Sequence, residues 1–189
     1  KQLISLNYKY KYISNAEAYA AQLLNNGKII GWFQGRMEFG PRALGNRSIL
    51  SAPFPLSKKH KLNRDIKHRE SFRPFAPSII YEYVEEYFDI NFDSPFMLIA
   101  SKATKKILKK APAIIHKDLT SRIQTVKKSD NLNYYNLINE FYKLSGVPIL
   151  LNTSFNDKGE PVVCNPKDAI LSFEKTNLDF LIMGNYLIE

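Results

Sequence analysis

Apolar residues along this chain come in short runs. Polar, glycine-bearing or proline-bearing segments separate them, which is the rhythm of alternating strands and helices. Lys28–Phe33, Arg47–Ser51, Phe75–Ile80, Pro95–Ala100, Val147–Leu151, Asp179–Met183 and Tyr186–Ile188 read as strands. Ser121–Val126 alternates polar with apolar residues and predicts a half-exposed strand. Ser14-Asn15-Ala16-Glu17 has the spacing of a capping box, and the Ala-rich run behind it predicts a helix ending at Gly27. Further helices are predicted over Ser57 to about His68 and over Tyr81–Phe88. Asp130 should cap one that runs toward Ser145 and stops at Gly146, and Asn165-Pro166 should start one that reaches about Lys175. Lys102–Lys110 reads as a surface helix or a flap. The pattern predicts an α/β (α+β-like) class with a twisted, open mixed sheet flanked by helices, in one domain over residues 1–189.

Composition narrows this picture. A chain of 189 residues that is 44% hydrophobic and 13% aromatic can bury one full core, which excludes a disordered tail and a disulfide-stapled miniprotein. No apolar run approaches the ~20 residues of a membrane span. The single cysteine, Cys164, cannot close an internal disulfide, so the expected compartment is the reducing cytoplasm. Cys164 is expected to be a small core residue rather than a nucleophile. The chain opens on Lys1 rather than Met, and is expected to be a piece or a processed product.

Charge changes the picture more. The net charge is +9, from 27 basic and 18 acidic residues. The lysines are scattered, but six of the seven arginines lie between Arg36 and Arg73, and the seventh is Arg122. Arginine presents a rigid fork suited to phosphate and carboxylate, and lysine a hydrated point charge. Their segregation predicts an anion site rather than an evenly basic surface.

Four polar segments carry the candidate chemistry. Gly35–Ser48 holds Arg36, Arg42 and Arg47 among three glycines, so that backbone and guanidinium groups can approach one ligand together. Asn63–Phe75 holds Lys67, Arg69 and Arg73. His116–Thr125 places Arg122 and Gln124 at alternate positions, hence on one face of a strand. Asn152–Pro161 follows an apolar strand with Asn152, Ser154 and Asn156, at the strand end where open α/β sheets hold ligands. There is no GxGxxG, no Gly-Lys-Ser/Thr, no GxSxG elbow and no Cys/His cluster, so no metal site is expected.

In that order the segments read GRMEFGPRALGNRS, LNRDIKHRESFRPFAP, an HxD…RxQTV stretch and GVPILLNTSFNDKGEPVV. Together they resemble the C-terminal domain of the NodU/CmcH-type O-carbamoyltransferases, over about residues 28–189. The resemblance implies a YrdC-like fold and a missing N-terminal ASKHA-type domain that binds Fe2+. It implies that this domain takes carbamoyl phosphate and ATP, with Mg2+, and forms carbamoyl adenylate. The N-terminal domain, in the same or a separate chain, would then transfer the carbamoyl group to a hydroxyl. Lys67, Arg73 and Arg122 are implied as catalytic. Arg42, Arg47 and Ser154 are implied as substrate and nucleotide ligands, with Asn152, Asn156, Arg36 and Arg69 in support. The family has Gly where this chain has Leu119, and a glycine-only backbone angle is expected to be lost there. Two readings of other kinds stay open: a nucleic-acid-binding module on the basic charge, and a catalytically degenerate interaction domain. Against the first, the cations cluster in glycine loops and no RRM or KH signature is present.

Overall fold

The structure, a computed structural model, describes residues 8–189. In chain order the strands are β1 (Tyr10–Tyr12), β2 (Ile30–Phe33), β3 (Arg47–Ser51), β4 (Ala76–Ile80), β5 (Ala100–Lys102), β6 (Thr120–Arg122), β7 (Gln124–Val126), β8 (Ile149–Ser154), β9 (Phe180–Met183) and β10 (Tyr186–Ile188). Eight of them form one sheet in the order β1-β10-β9-β2-β3-β8-β4-β7, and β5 pairs with β6 in a separate antiparallel ribbon. The pairs β2–β9 and β4–β7 are parallel, and the others in the large sheet are antiparallel. The sheet is therefore mixed, as the apolar runs predict. β2, β3 and β4 are buried at every residue, which is why they read as continuous apolar runs rather than alternating ones.

The strand β8 sits in the middle and sets the site. Asn152 lies opposite Leu50 of β3 on one side and Ala76 of β4 on the other. Predicted as ending at Leu151, the strand runs on through Asn152, Thr153 and Ser154. Its polar end is thus held by ladder bonds on a rigid element rather than left in a turn.

The helices Ala16–Asn25 and Leu132–Ser145 pack on each other beside the sheet, and each fits its prediction within a residue or two. Their caps differ from expectation by one position. Asn15, not Ser14, accepts from the Ala18 N–H, and Asn131, not Asp130, accepts from the Tyr134 N–H. Gly146 ends the second helix with φ at 69°, the left-handed conformation glycine adopts without cost. Pro166–Lys175 begins at Asn165 with a reciprocal capping box to Asp168. Ser57–Lys61 continues as a single wide turn over Leu62–Ile66, so the predicted helix ends just before Lys67.

Three expectations fail for visible reasons. Pro95–Ala100 is not a strand. Met97 stands at φ 54° with its side chain buried, while Phe96 and Leu98 point into solvent, so no ladder can run through it. The alternating Ser121–Val126 run is two strands, not one. Ile123 is buried and gives its N–H to Ile99, and there the chain steps from the ribbon into the main sheet. Cys164 is exposed rather than in the core, because its neighbour Val163 takes the buried position.

Candidate active site

The arginine loop between β2 and β3 folds around its one acid. Glu38 Oε1 accepts from the backbone N–H groups of Leu44 (2.7 Å), Asn46 (2.8 Å) and Arg47 (3.2 Å). Arg47 lies beneath the loop. Its Nη1 donates to the carbonyls of Gln34 (2.8 Å) and Asn46 (3.0 Å). Its Nη2 donates to those of Gly35 (3.1 Å) and Cys164 (3.4 Å), and its Nε also to Cys164. The guanidinium lies 3.6 Å from the Phe33 ring centre. All five donors are spent on the protein's own backbone. Arg47 is thus a strut of the loop, a correction to its expected place among the ligand contacts.

A buried amide network ties this loop to the sheet. Asn152 Nδ2 donates to the Ala43 carbonyl (3.1 Å) and to Ser78 Oγ (3.1 Å). Ser78 Oγ donates to Gln124 Oε1 (2.7 Å), and Gln124 Nε2 donates to the Leu44 carbonyl (2.9 Å). Gly45 turns the loop over Tyr134 with φ at 107°. A Cβ there would lie 2.2 Å from a carbon of that ring, so no other residue fits.

Above this floor is a pocket of about 150 Å³, lined by Arg42, Arg69, Arg122, Asn152 and Ser154 and walled by Pro41, Phe75 and Met97. Its lining includes three arginines and no Asp or Glu. Arg69 is steadied by Asn63 Oδ1, which accepts from its Nε at 2.8 Å, and by the face of Phe75 at 4.7 Å. The Nε atoms of Arg42 and Arg122 are buried with no acceptor. Burial, and after it the neighbouring Arg42 charge, pulls the Arg122 pKa below its usual value. Like charges gathered in a small cavity without a counter-charge are costly, and an anion with several oxygens relieves that cost.

The remaining predicted residues lie around the pocket rather than in it. Lys67 is buried behind Ser154. Its Nζ donates to the carbonyls of Ser154 (3.1 Å) and Asn156 (2.6 Å) and to Asn156 Oδ1 (2.8 Å), which uses all three of its donors. Burial, followed by the Arg69 charge, lowers its pKa to about 8. Asn156 also accepts from Ser154 Oγ at 2.7 Å and donates to the Glu160 carbonyl at 2.7 Å. Lys67 and Asn156 together therefore hold the end of β8. Arg73 is exposed and pairs with Glu70 at 2.9 Å. Arg36 is exposed on the outer part of its loop. The structure thus gathers Arg42, Arg69, Arg122, Asn152 and Ser154, and does not bring Arg36, Arg47, Lys67, Arg73 or Asn156 into the lining. Sequence reasoning missed Glu38 and Ser78. The signal for Glu38 was its position as the sole acid in an arginine-rich loop. Ser78 gave none, since one serine in an apolar strand looks like any other. Among the described residues no group of three His, Cys, Asp or Glu side chains could hold a metal ion, and no helix is long and apolar enough to cross a membrane.

Comparison with known proteins matches residues 21–189 to the family described as Carbamoyltransferase C-terminus. The chain is 47% identical to nodulation protein NolNO of Sinorhizobium fredii, over 90% of this chain and 25% of that protein. It is 36% identical to the 3'-hydroxymethylcephem-O-carbamoyltransferase of Amycolatopsis lactamdurans, over 86% of this chain and 31% of that protein. The chain thus spans about a quarter to a third of the length of these relatives. Its fold superposes on full-length HypF in a phosphate- and nucleotide-bound form with a TM-score of 0.63, at 17% identity, covering 93% of this chain and 22% of that one.

Proposed function

The chain belongs to the carbamoyltransferase C-terminal family, and from that premise we propose that it activates carbamoyl phosphate with ATP to give carbamoyl adenylate. Water cleaves carbamoyl phosphate to carbamate and phosphate. A carbamate oxygen then attacks the α-phosphorus of ATP, and the bond to pyrophosphate breaks. The adenylate passes to the remainder of the longer protein, which the relatives carry, for transfer to a hydroxyl acceptor.

One observation carries this reading: three arginines converge on a small pocket with no carboxylate, two of them with an unpartnered buried Nε. Carbamate is already an anion, so the reaction asks for positioning and for charge stabilisation on phosphoryl oxygens rather than for a general base. Arg42, Arg69 and Arg122 supply the charge, and Ser154 lies beside them. Lys67 and Asn156 fix the strand end that presents Ser154. Arg73, which precedes Pro74 of the lining, joins when it leaves Glu70. With no carboxylate in the lining, no side chain there would hold a Mg2+ ion directly; arriving with ATP, it would supply neutralisation of phosphate charge alongside Arg42, Arg69 and Arg122.

The test is ATP–pyrophosphate exchange dependent on carbamoyl phosphate. Wild-type protein is expected to exchange, and Arg122→Ala to lose about 10²-fold or more, the size of one phosphoryl-oxygen contact. The same loss is expected for Arg73→Ala. No exchange by folded protein, even with the remainder of the longer enzyme added, overturns the proposal. Wild-type rates in both variants overturn the residue assignment.

A further inference from the structure

The unpaired atoms of the pocket are of two chemical kinds. Arg42 Nε and Arg122 Nε are donors, and Asn152 Oδ1 is an acceptor; all three are buried with no protein partner. The acceptor cannot be exchanged for the amide nitrogen by turning the group over. Nδ2 donates to the Ala43 carbonyl at 3.1 Å, and a reversed amide would set Oδ1 against the lone pairs of that carbonyl. Asn152 also stands mid-sheet between β3 and β4, so its backbone cannot swing away. A fixed, unsatisfied amide oxygen on a residue that lines the pocket beside Arg42, Arg69 and Arg122 asks for a ligand that brings an N–H along with its oxygens.

We propose that Asn152 is the specificity-determining residue for the amino group of the substrate. Its Oδ1 accepts from the carbamoyl NH2 while Arg42 and Arg122 take the oxygens. No carboxylate holds those two arginines in place, so they can move onto an arriving anion. The inference rests on the carbamoyl-adenylate reading and adds to it the means of rejecting other acyl phosphates. Acetyl phosphate has the same shape with a methyl group in place of NH2. It offers Oδ1 nothing and leaves the acceptor buried and unsatisfied. Sites built around a substrate hydrogen bond discriminate strongly against analogues that lack it.

The experiment compares ATP–pyrophosphate exchange driven by carbamoyl phosphate with that driven by acetyl phosphate. Wild-type protein is expected to favour carbamoyl phosphate by about 10²-fold or more in kcat/KM. Asn152→Leu, similar in size without the acceptor, is expected to bring the ratio within about tenfold of unity, and Asn152→Ala to do likewise. Ser78→Ala removes one partner of Nδ2 and leaves Oδ1. It is expected to lower both activities together and keep the ratio, which separates selection from support of the floor. Equal use of the two acyl phosphates by wild-type protein, or an unchanged ratio in the Asn152 variants, overturns the inference while leaving the proposed function standing. Exchange with neither overturns the function itself. If both Asn152 variants fail to fold, the wild-type ratio decides.

Discussion

Leu119 holds a left-handed backbone conformation, φ 62°, with its side chain 53% exposed. The turn around it explains how. Its N–H donates to the His116 carbonyl and its own carbonyl accepts from Ala103 N–H. Asp118 Oδ1 accepts from both the N–H and the hydroxyl of Thr120. These bonds fix the angle whatever residue stands there. The sequence expectation that leucine loses a glycine-only angle is therefore corrected: the angle is kept, and strain of about 1–2 kcal/mol takes its place. Glycine removes the strain and costs roughly 0.5–1 kcal/mol through the freer unfolded chain. Leu119→Gly is expected to stabilise the protein by ~0.5–1 kcal/mol, raising Tm by about 1–4 °C in a thermal melt. A lower Tm would show that the leucine side chain contributes more than its exposure suggests.

At the scale of elements, the arginine loop is shaped by a carboxylate rather than by its glycines alone. Glu38 satisfies three loop N–H groups, and that of Leu44 belongs to the same peptide as the Ala43 carbonyl that takes the Asn152 tether, with the Leu44 carbonyl that takes the Gln124 tether next to it. Glu38→Ala leaves those donors without their acceptor and is expected to cost ~2–4 kcal/mol in denaturant unfolding. Glu38→Gln keeps an acceptor oxygen and is expected to cost about half as much. In exchange assays both variants should raise KM more than they lower kcat, because Arg42 loses its placement before its chemistry. Unchanged stability in Glu38→Ala would show that the loop holds itself without the carboxylate. The same loop marks the boundary of what the sequence conveys. Buried strands such as β2, β3 and β4 are plain from their apolar runs, and Pro166–Lys175 from its Asn-Pro start. Met97 is not, since an apolar run says nothing of a left-handed residue inside it. Arg42 and Arg47 look alike in sequence, five residues apart in one glycine-rich segment. One faces the pocket and the other spends every donor inward, held by the Phe33 ring and by the carbonyls of Gln34, Gly35, Asn46 and the distant Cys164. Asn152 was recognisable as polar at a strand end, but its orphaned oxygen depends on Ala43, which lies 109 residues away in the chain.

Over the whole molecule, the +9 charge separates into two populations with different physics. Lys28, Lys106, Lys127, Lys143 and Lys175 sit at the surface in ion pairs with acids, and so do Arg64 and Arg73. Exposed pairs of this sort contribute little and are screened by salt. Arg42, Arg69 and Arg122 instead share a cavity, where screening is weak. The two populations give opposite expectations for salt. A protein that binds nucleic acid through six to ten phosphate contacts loses about 10³–10⁵ in affinity between 50 and 200 mM salt. A pocket of three arginines closing on one small anion has few counterions to release. The KM for carbamoyl phosphate in the exchange assay is therefore expected to rise less than about tenfold over that range. Binding to single- or double-stranded RNA should be weak at 50 mM salt and absent at 200 mM. Tight RNA binding with a steep salt slope, and no response to carbamoyl phosphate, would assign the charge to the surface lysines and remove the pocket from the account.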